Sequence, residues 1–301
     1  MWPVGHARAT LPSMNSANGT LPVLTFGDGP ELVIAVHGIT ASAMTWPSVA
    51  RRLSAQWTLV APDLRGRGAA AGLPGPYGLR RHVEDVCTLA RSRQAPSGAV
   101  LVGHSMGAFV ALLAAAAEPQ LFRRLVLVDG GLPFPPPPEG ISVDDVVTAT
   151  LGPAIDRLNM TFAAEQDYLD FFRAHPALRA DWNDDIAAYA RYDLTGAPGQ
   201  LRSRVVGDAV RADGRDVLVL TPDYLAAWEA LRVPTVLLRA SRGMFGQEPG
   251  LISDEVVAEA VRRRPDITIE TVSEANHYTL VLVDRFAAEV ARLIEATDGD
   301  G

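Results

Sequence analysis

Residues 100–109 read VLVGHSMGAF, an apolar run that ends at a serine placed between two glycines. A sharp turn from a strand into a helix lifts the central side chain above a sheet. Such a turn needs small residues on both sides, because the backbone passes close to itself there. Gly103 and Gly107 supply them around Ser105. We therefore predict that Ser105 is a nucleophile; the alternative is that it only caps the start of the following helix.

Similar apolar runs alternate with longer amphipathic stretches along the chain. Runs rich in Val, Leu and Ile are typical of buried strands, and they lie at 32–38, 57–63, 99–105, 124–131, 234–241 and 267–273. Helices are predicted at 44–55, 79–94, 106–118, 254–264 and 283–296. This alternation indicates an α/β fold, in which helices cover both faces of a parallel sheet. Ligands of such sheets bind beyond the carboxyl ends of the strands, so the residues that follow the strands are the candidate site residues.

The alternation stops between about residues 132 and 231. Four consecutive prolines at 135–138 cannot continue a helix or a central strand. The chain then becomes helical in pattern and rich in Trp and Tyr. Because predicted strands flank this stretch, we predict that residues 132–231 form a helical cap inserted into a core made of residues 1–131 and 232–301. A second, independent domain is the alternative.

Charge and composition exclude several classes of partner. The net charge of −8 argues against nucleic acid or an anionic membrane surface, and no stretch approaches the roughly 18 apolar residues of a membrane helix. Cys87 is the only cysteine, so no disulfide can form within the chain.

Because phosphate-binding glycine loops and metal-ligand spacings are missing, we expect no cofactor and no metal. With no signal-peptide pattern at the start, we expect a soluble cytoplasmic protein; the oligomeric state stays open.

A serine hydroxyl needs a base to act as a nucleophile. Of the six histidines, His277 follows the last predicted strand, where a loop can bring its imidazole to Ser105. His104 adjoins the serine, but its side chain is expected to point away from the site. The backbone N–H groups of Ile39 and Met106 are expected to bind the oxyanion of a tetrahedral intermediate.

The order of these motifs resembles the α/β-hydrolase superfamily. The motifs are HG after an early strand (37–38), DLRGRG (63–68), GHSMG (103–107), a proline-rich break followed by helices, and a late NH (276–277). They cover roughly residues 20–297. The resemblance implies a mostly parallel sheet of eight strands flanked by helices, a helical cap, and a Ser–acid–His triad in that chain order.

The chain departs from the family pattern at the triad acid. The usual acid follows the strand before the histidine strand, but here that place falls near Gly243, and no carboxylate appears before Glu248. The preceding strand ends in Asp129, where some family members carry the acid, and this arrangement resembles that of certain fungal-toxin lactonases. We predict Asp129 as the acid, although it could also only cap a turn. The alternatives are that Glu248 is the acid or that the triad has no working acid.

Together these residues predict a serine hydrolase that cleaves a carboxylic ester or a lactone through an acyl-enzyme at Ser105. A small, apolar or aromatic substrate is expected under the aromatic-rich cap. Candidate substrate-binding residues are Trp182 and Tyr189 in the cap and His37 before the oxyanion loop, although we favour a turn-shaping role for the His37 side chain. The alternatives are hydrolysis of a C–C bond in a diketone-like substrate and a ligand-sensing protein on a hydrolase fold.

Overall fold

The computed structural model describes residues 20–133 and 139–296. Its strands, in chain order, are β1 (Val23–Phe26), β2 (Glu31–Val36), β3 (Trp57–Pro62), β4 (Ala99–His104), β5 (Phe122–Val128), β6 (Leu194–Thr195), β7 (Arg202–Ser203), β8 (Thr235–Arg242) and β9 (Thr268–Asn276). Its α-helices are α1 (Pro47–Ala50), α2 (Leu79–Arg93), α3 (Met106–Ala117), α4 (Val143–Leu158), α5 (Glu165–Arg173), α6 (Asp184–Asp193), α7 (Gly207–Val219), α8 (Thr221–Ala230), α9 (Asp254–Arg263), α10 (Thr279–Leu282) and α11 (Asp284–Glu295). In these two ranges, no helix is long and apolar enough to cross a membrane.

One sheet holds seven of these strands, in the order β1-β3-β2-β4-β5-β8-β9. β1 runs antiparallel to β3, and every other neighbouring pair is parallel. The predicted α/β class with a mostly parallel sheet is confirmed, with seven strands in the described residues where eight were expected. The six predicted strands correspond to β2, β3, β4, β5, β8 and β9. The edge strand β1 was missed because a run of only four residues, of which Leu24 and Phe26 are buried, is too short to carry a clear periodic signal.

Alternate residues of the central strands pack on opposite faces of the sheet. In β4, Leu101 joins the apolar cluster on one face, whereas Val100 and Val102 join the cluster on the other. Both faces are therefore buried, as a parallel sheet with helices on each side requires. This explains why the central strands read as continuous apolar runs and not as an alternation of apolar and polar residues.

Helix α3 is held between the sheet and the neighbouring helices α2 and α8. Its sequence, MGAFVALLAAAA, is apolar on every side, and such a helix is stable only when it is covered. The rings of Phe109 in α3 and Tyr224 in α8 have their centres 4.8 Å apart. The N-terminus of α3, which directly follows Ser105, is therefore rigidly placed at the carboxyl edge of the sheet.

The segment between β5 and β8 contains α4 to α8 and the β6–β7 hairpin. Helices α4 and α7 pack on each other, and both contribute side chains to the cavity above Ser105. Helix α8 packs on α3 instead, and its Tyr224 and Trp228 belong to the same apolar cluster as α3. The domain boundaries stay a prediction, and from this packing we propose that the cap ends before α8 and not at residue 231. The proline run at 135–138 lies outside the described residues.

Candidate active site

Ser105 lies at the turn between β4 and α3 with a positive φ. Its φ is 57° and its ψ is −124°, a conformation that costs a non-glycine residue about 1–3 kcal/mol. A Cβ on Gly103 would lie 2.2 Å from the carbonyl oxygen of Gly107, and a Cβ on Gly107 would lie 2.2 Å from that of Val36. Any side chain at either position would therefore clash with backbone. The two glycines are what allows the turn that lifts Ser105 out of the sheet.

Two backbone segments bring N–H groups close to Ser105. Met106 is the first residue of α3, and N–H groups in the first turn of a helix have no partner within that helix. The loop after β2 passes beside the serine, since a Cβ on Gly38 would lie 3.2 Å from the Cβ of Ser105. Ile39 in this loop borders the same cavity as Ser105 and Met106. This placement fits the oxyanion-binding role of Ile39 and Met106, which stays a prediction.

His277 follows β9 and contacts Asp129 at the end of β5. Its Nδ1 lies 2.7 Å from Oδ2 of Asp129, and both side chains are buried. A carboxylate can only accept a hydrogen bond, so Nδ1–H donates to Asp129 and Nε2 keeps its lone pair. His277 and Ser105 border one small cavity. An imidazole oriented by a carboxylate, with a free Nε2, is the group that a serine nucleophile requires.

Neighbouring strand β8 holds Asp129 in place. The N–H of Asp129 donates to the carbonyl oxygen of Leu238 at 2.8 Å, and the second carboxylate oxygen accepts the N–H of Ala240 at 3.1 Å. The φ of Asp129 is 46°, a value that Asp adopts more readily than most residues. The carboxylate therefore reaches across the end of β8 to the histidine that follows β9.

At the place where the family pattern has its acid, the loop after β8 holds Gly243 and Met244. Glu248, the alternative acid, is largely exposed, and its Oε1 lies 3.8 Å from Nε of Arg242. The predicted contact thus belongs to Asp129, although its catalytic role stays a prediction. The loop after β8 instead places the apolar Met244 at the border of both cavities beside Ser105.

Two cavities of unequal size meet at Ser105. The larger has a volume of about 340 Å³, and its lining is mostly apolar side chains of α3, α4, α7 and the loop after β8. The smaller has a volume of about 40 Å³ and lies between the loop after β2 and the residues that follow β9. Ser105, Ile39 and Met244 border both cavities. Within residues 20–133 and 139–296, no group of three His, Cys, Asp or Glu side chains is placed to hold a metal ion.

Of the two predicted aromatic residues of the cap, only Tyr189 borders either of these two cavities. Tyr189 in α6 lies at the smaller cavity. Trp182 borders neither cavity; the guanidinium of Arg173 lies 4.9 Å from the centre of its ring. The substrate-binding role of Trp182 stays a prediction that the geometry of these two cavities does not support. An aromatic-rich helical pattern does not show which side of a cap helix faces the substrate.

His37 likewise lies away from both cavities, and its role in substrate binding stays a prediction. Its Nε2 accepts the N–H of Leu64 at 3.0 Å, and its Nδ1–H donates to the carbonyl oxygen of Gly38 at 2.8 Å. Complete burial lowers the pKa of His37 to about 3, so the ring is neutral. The ring borders neither cavity. Both ring nitrogens are used to hold the turn that carries the oxyanion loop, which is the turn-shaping role favoured above.

His104 faces the site, contrary to our expectation. Its Nε2–H donates to the carbonyl oxygen of His277 at 2.8 Å, and the two ring centres are 4.7 Å apart. Burial lowers the pKa of His104 well below its ordinary value, so the ring is neutral near pH 7. Successive side chains at the end of β4 point in different directions. The side chain of His104 therefore points away from that of Ser105 and toward the backbone of His277. His104 is thus a positioning residue for the loop that carries His277.

A buried ion pair supports the oxyanion loop. Arg67, in the DLRGRG motif, is fully buried; its Nη1 lies 2.5 Å from Oδ2 of Asp213 in α7, and its Nε donates to the carbonyl oxygen of Ile39 at 2.9 Å. The Nε2 of His82 lies 3.0 Å from the same carboxylate oxygen. Burial alone would raise the pKa of Asp213, but Arg67 and His82 outweigh it and lower that pKa. Helix α7 is thereby connected through Arg67 to the backbone of Ile39.

We expect Asp213→Asn to lower the free energy of unfolding by about 3 kcal/mol, because it leaves the buried charge of Arg67 uncompensated. Chemical denaturation measures this change. The matched control is Asp208→Asn in the same helix, whose exposed carboxylate pairs with Arg211 and should contribute less than about 1 kcal/mol. Similar small changes in both variants would contradict the importance of the buried pair.

Sequence reasoning missed the residues of α4 and α7 that shape the larger cavity. Among them is Gly214, in the interior of α7. A Cβ at this position would lie 2.7 Å from Cδ1 of Leu151 in α4, so the glycine lets the two helices approach closely. A glycine inside a helical pattern is the one signal that could have indicated this contact.

Comparison with known proteins gives consistent matches to hydrolases. The model of the alpha/beta hydrolase family matches residues 33–293. The 2-(acetamidomethylene)succinate hydrolase of Mesorhizobium japonicum is 30% identical over 259 residues, which are 86% of this chain and 85% of that protein. Lipase LipV of Mycobacterium tuberculosis is 32% identical over 245 residues, 78% of this chain and 82% of that protein. A crystal structure of E-2-(acetamidomethylene)succinate hydrolase matches with a TM-score of 0.75 at 24% identity, covering 97% of this chain and 100% of that chain.

Proposed function

Because the chain belongs to the alpha/beta hydrolase family, we propose that it is a serine hydrolase that cleaves a carboxylic ester through an acyl-enzyme at Ser105. The observation that carries the proposal is the 2.7 Å contact between Nδ1 of His277 and Asp129. This contact leaves Nε2 of a buried imidazole free to take the serine proton. Family membership supports the hydrolase class, and the ester, the acyl-enzyme and the residue roles are our proposal.

In the proposed reaction, Oγ of Ser105 attacks the carbonyl carbon while Nε2 of His277 takes the hydroxyl proton. The negative charge on the carbonyl oxygen is held by the N–H groups of Ile39 and Met106. Asp129 stabilises the imidazolium, which then gives its proton to the departing alcohol. A water molecule, deprotonated by the same Nε2, attacks the acyl-enzyme, and the acid and the free serine result.

The lining of the site favours a neutral, apolar substrate. Of the described residues, those that border the two cavities include no lysine and no arginine. A carboxylate placed there would lose its hydration without gaining a cationic partner. A substituted succinate, named for the Mesorhizobium relative, therefore fits this site poorly. The name lipase of the mycobacterial relative agrees better with an apolar ester.

A lactone is the second candidate, because Asp129 lies where the lactonases that the sequence resembles carry their acid. A large lactone ring would extend on both sides of its carbonyl carbon, whereas one of the two cavities holds only about 40 Å³. The geometry therefore favours an open-chain ester. Products separate the candidates, since a lactone yields a single hydroxy acid and an ester yields an acid and an alcohol.

A fluorophosphonate probe should label one residue, Ser105, because only a hydroxyl activated by a base reacts readily with it. Mass spectrometry of the digested protein locates the label, and loss of p-nitrophenyl butyrate hydrolysis should parallel the labelling. Ser105→Ala should not be labelled, whereas Ser92→Ala, which changes an exposed serine of α2, should be labelled like the wild type. A label on another serine, or an active enzyme that takes no label, would overturn the assignment.

A further inference from the structure

The two cavities at Ser105 correspond to the two halves of an ester, and this step rests on the proposed function. The histidine that takes the serine proton must return it to the leaving alcohol, so the leaving oxygen must come within hydrogen-bond reach of Nε2 of His277. His277 borders the smaller cavity and not the larger one. The alcohol half therefore points into the smaller cavity, and the acyl half is left to occupy the larger.

The sizes of the cavities then set the substrate class. A single water molecule needs about 10–15 Å³ of cavity volume, so the smaller cavity of about 40 Å³ has room for about three groups of that size. The larger cavity of about 340 Å³ has room for roughly twenty-five such groups. We propose that the enzyme is specific for esters that join a long or bulky apolar acyl group to an alcohol of at most about three carbons.

Part of the wall of the smaller cavity is firmly anchored. Val281 and Leu282 of α10 form part of this wall, and both are buried. The carbonyl oxygen of Leu282 accepts hydrogen bonds from Oγ of Ser48 at 3.3 Å and from Nδ2 of Asn183 at 3.2 Å. These bonds connect α10 to α1 and to the N-terminus of α6, so the wall cannot move back without breaking them.

The wall of the larger cavity is suited to an acyl chain. Val147 and Leu151 of α4 and Val217 and Leu218 of α7 present hydrocarbon to it. Each methylene that an acyl chain buries against such a wall strengthens binding by about threefold to fourfold. Elongation of the acyl chain should therefore raise kcat/KM until the cavity is full, whereas elongation of the alcohol should lower it.

Two series of esters test this inference on the wild-type enzyme, each kept below its solubility limit. From methyl acetate to methyl butanoate and methyl hexanoate, kcat/KM should rise by about threefold per methylene. From methyl to butyl and benzyl hexanoate, kcat/KM should fall by at least about tenfold. A flat or reversed order in either series overturns the inference.

Variants on each side of Ser105 sharpen the test. Val147→Phe, which fills part of the larger cavity, should reduce the preference for hexanoate over acetate by about tenfold. The same substitution at the exposed Val261 of α9 is the matched control and should leave this preference unchanged. Val281→Ala, which enlarges the smaller cavity, should raise kcat/KM for the butyl ester relative to the methyl ester by about tenfold. An unchanged ratio in both cavity variants contradicts the assignment of the cavities.

Failure of this inference can be told apart from failure of the proposed function. If Ser105 is labelled and esters are cleaved without regard to the size of the alcohol, the assignment of the cavities is wrong and the serine hydrolase proposal stands. If no ester of either series is cleaved and Ser105 takes no label, both are wrong.

Discussion

Ser105→Ala should reduce kcat for ester hydrolysis by at least about 10⁴-fold, because alanine cannot form the acyl-enzyme. A small residual rate is expected, since the oxyanion donors and the binding of the substrate still act without the nucleophile. The fold should be unaffected, because the Ser105 side chain makes no capping hydrogen bond and alanine meets the same backbone strain at a φ of 57°. Steady-state kinetics measure the rate, and chemical denaturation measures the free energy of unfolding.

The matched control for this prediction is Ser92→Ala on the outer surface of α2. The Ser92 hydroxyl donates only to the carbonyl oxygen of Leu89 in its own helix, so its loss should leave kcat unchanged. Retention of more than a tenth of the wild-type rate by Ser105→Ala would show that another group carries the reaction.

Asp129→Asn should lower kcat by at least about a hundredfold, with KM little changed. The geometry gives the reason. The asparagine carbonyl can keep the hydrogen bond from the N–H of Ala240, and its NH₂ group then faces Nδ1 of His277. Nδ1 must become the acceptor, so the ring proton moves to Nε2. In that tautomer Nε2 cannot take the serine proton, and the base is lost although the fold is kept.

Glu248→Gln is the control for Asp129→Asn, because it removes the other carboxylate that the sequence offered as the acid. The Glu248 side chain is largely exposed and lies 3.8 Å from Arg242, so this variant should keep nearly the full rate. Equal losses in the two variants, or a loss only in Glu248→Gln, would show that Asp129 is not the triad acid.

Much of the site could be read from local patterns. The turn at Ser105 was predictable because it requires Gly103 and Gly107, where an added Cβ would lie only 2.2 Å from a backbone oxygen. Most predicted strand ends lie within one to three residues of the observed ones, because both faces of the sheet are buried and the strands read as apolar runs.

The direction in which a side chain points was harder to predict. His104 was expected to point away, but it contacts the backbone of His277, which lies 173 positions further along the chain. Trp182 and Tyr189 lie in one stretch of the cap, and only Tyr189 borders a cavity. These outcomes depend on contacts between elements that are distant in sequence, and no spacing within a single helix or strand encodes such contacts.

The sequence by itself determined the α/β sheet, the turn that exposes Ser105 and the candidacy of His277, because each depends on residues that are neighbours along the chain. Only the tertiary structure decided which carboxylate meets the histidine and how much room lies on each side of the serine. Asp129 and His277 are 148 positions apart and come within 2.7 Å only because β5, β8 and β9 are consecutive in the sheet. The two cavities exist because α4, α7 and α10, which are distant in sequence, pack around the carboxyl edge of that sheet.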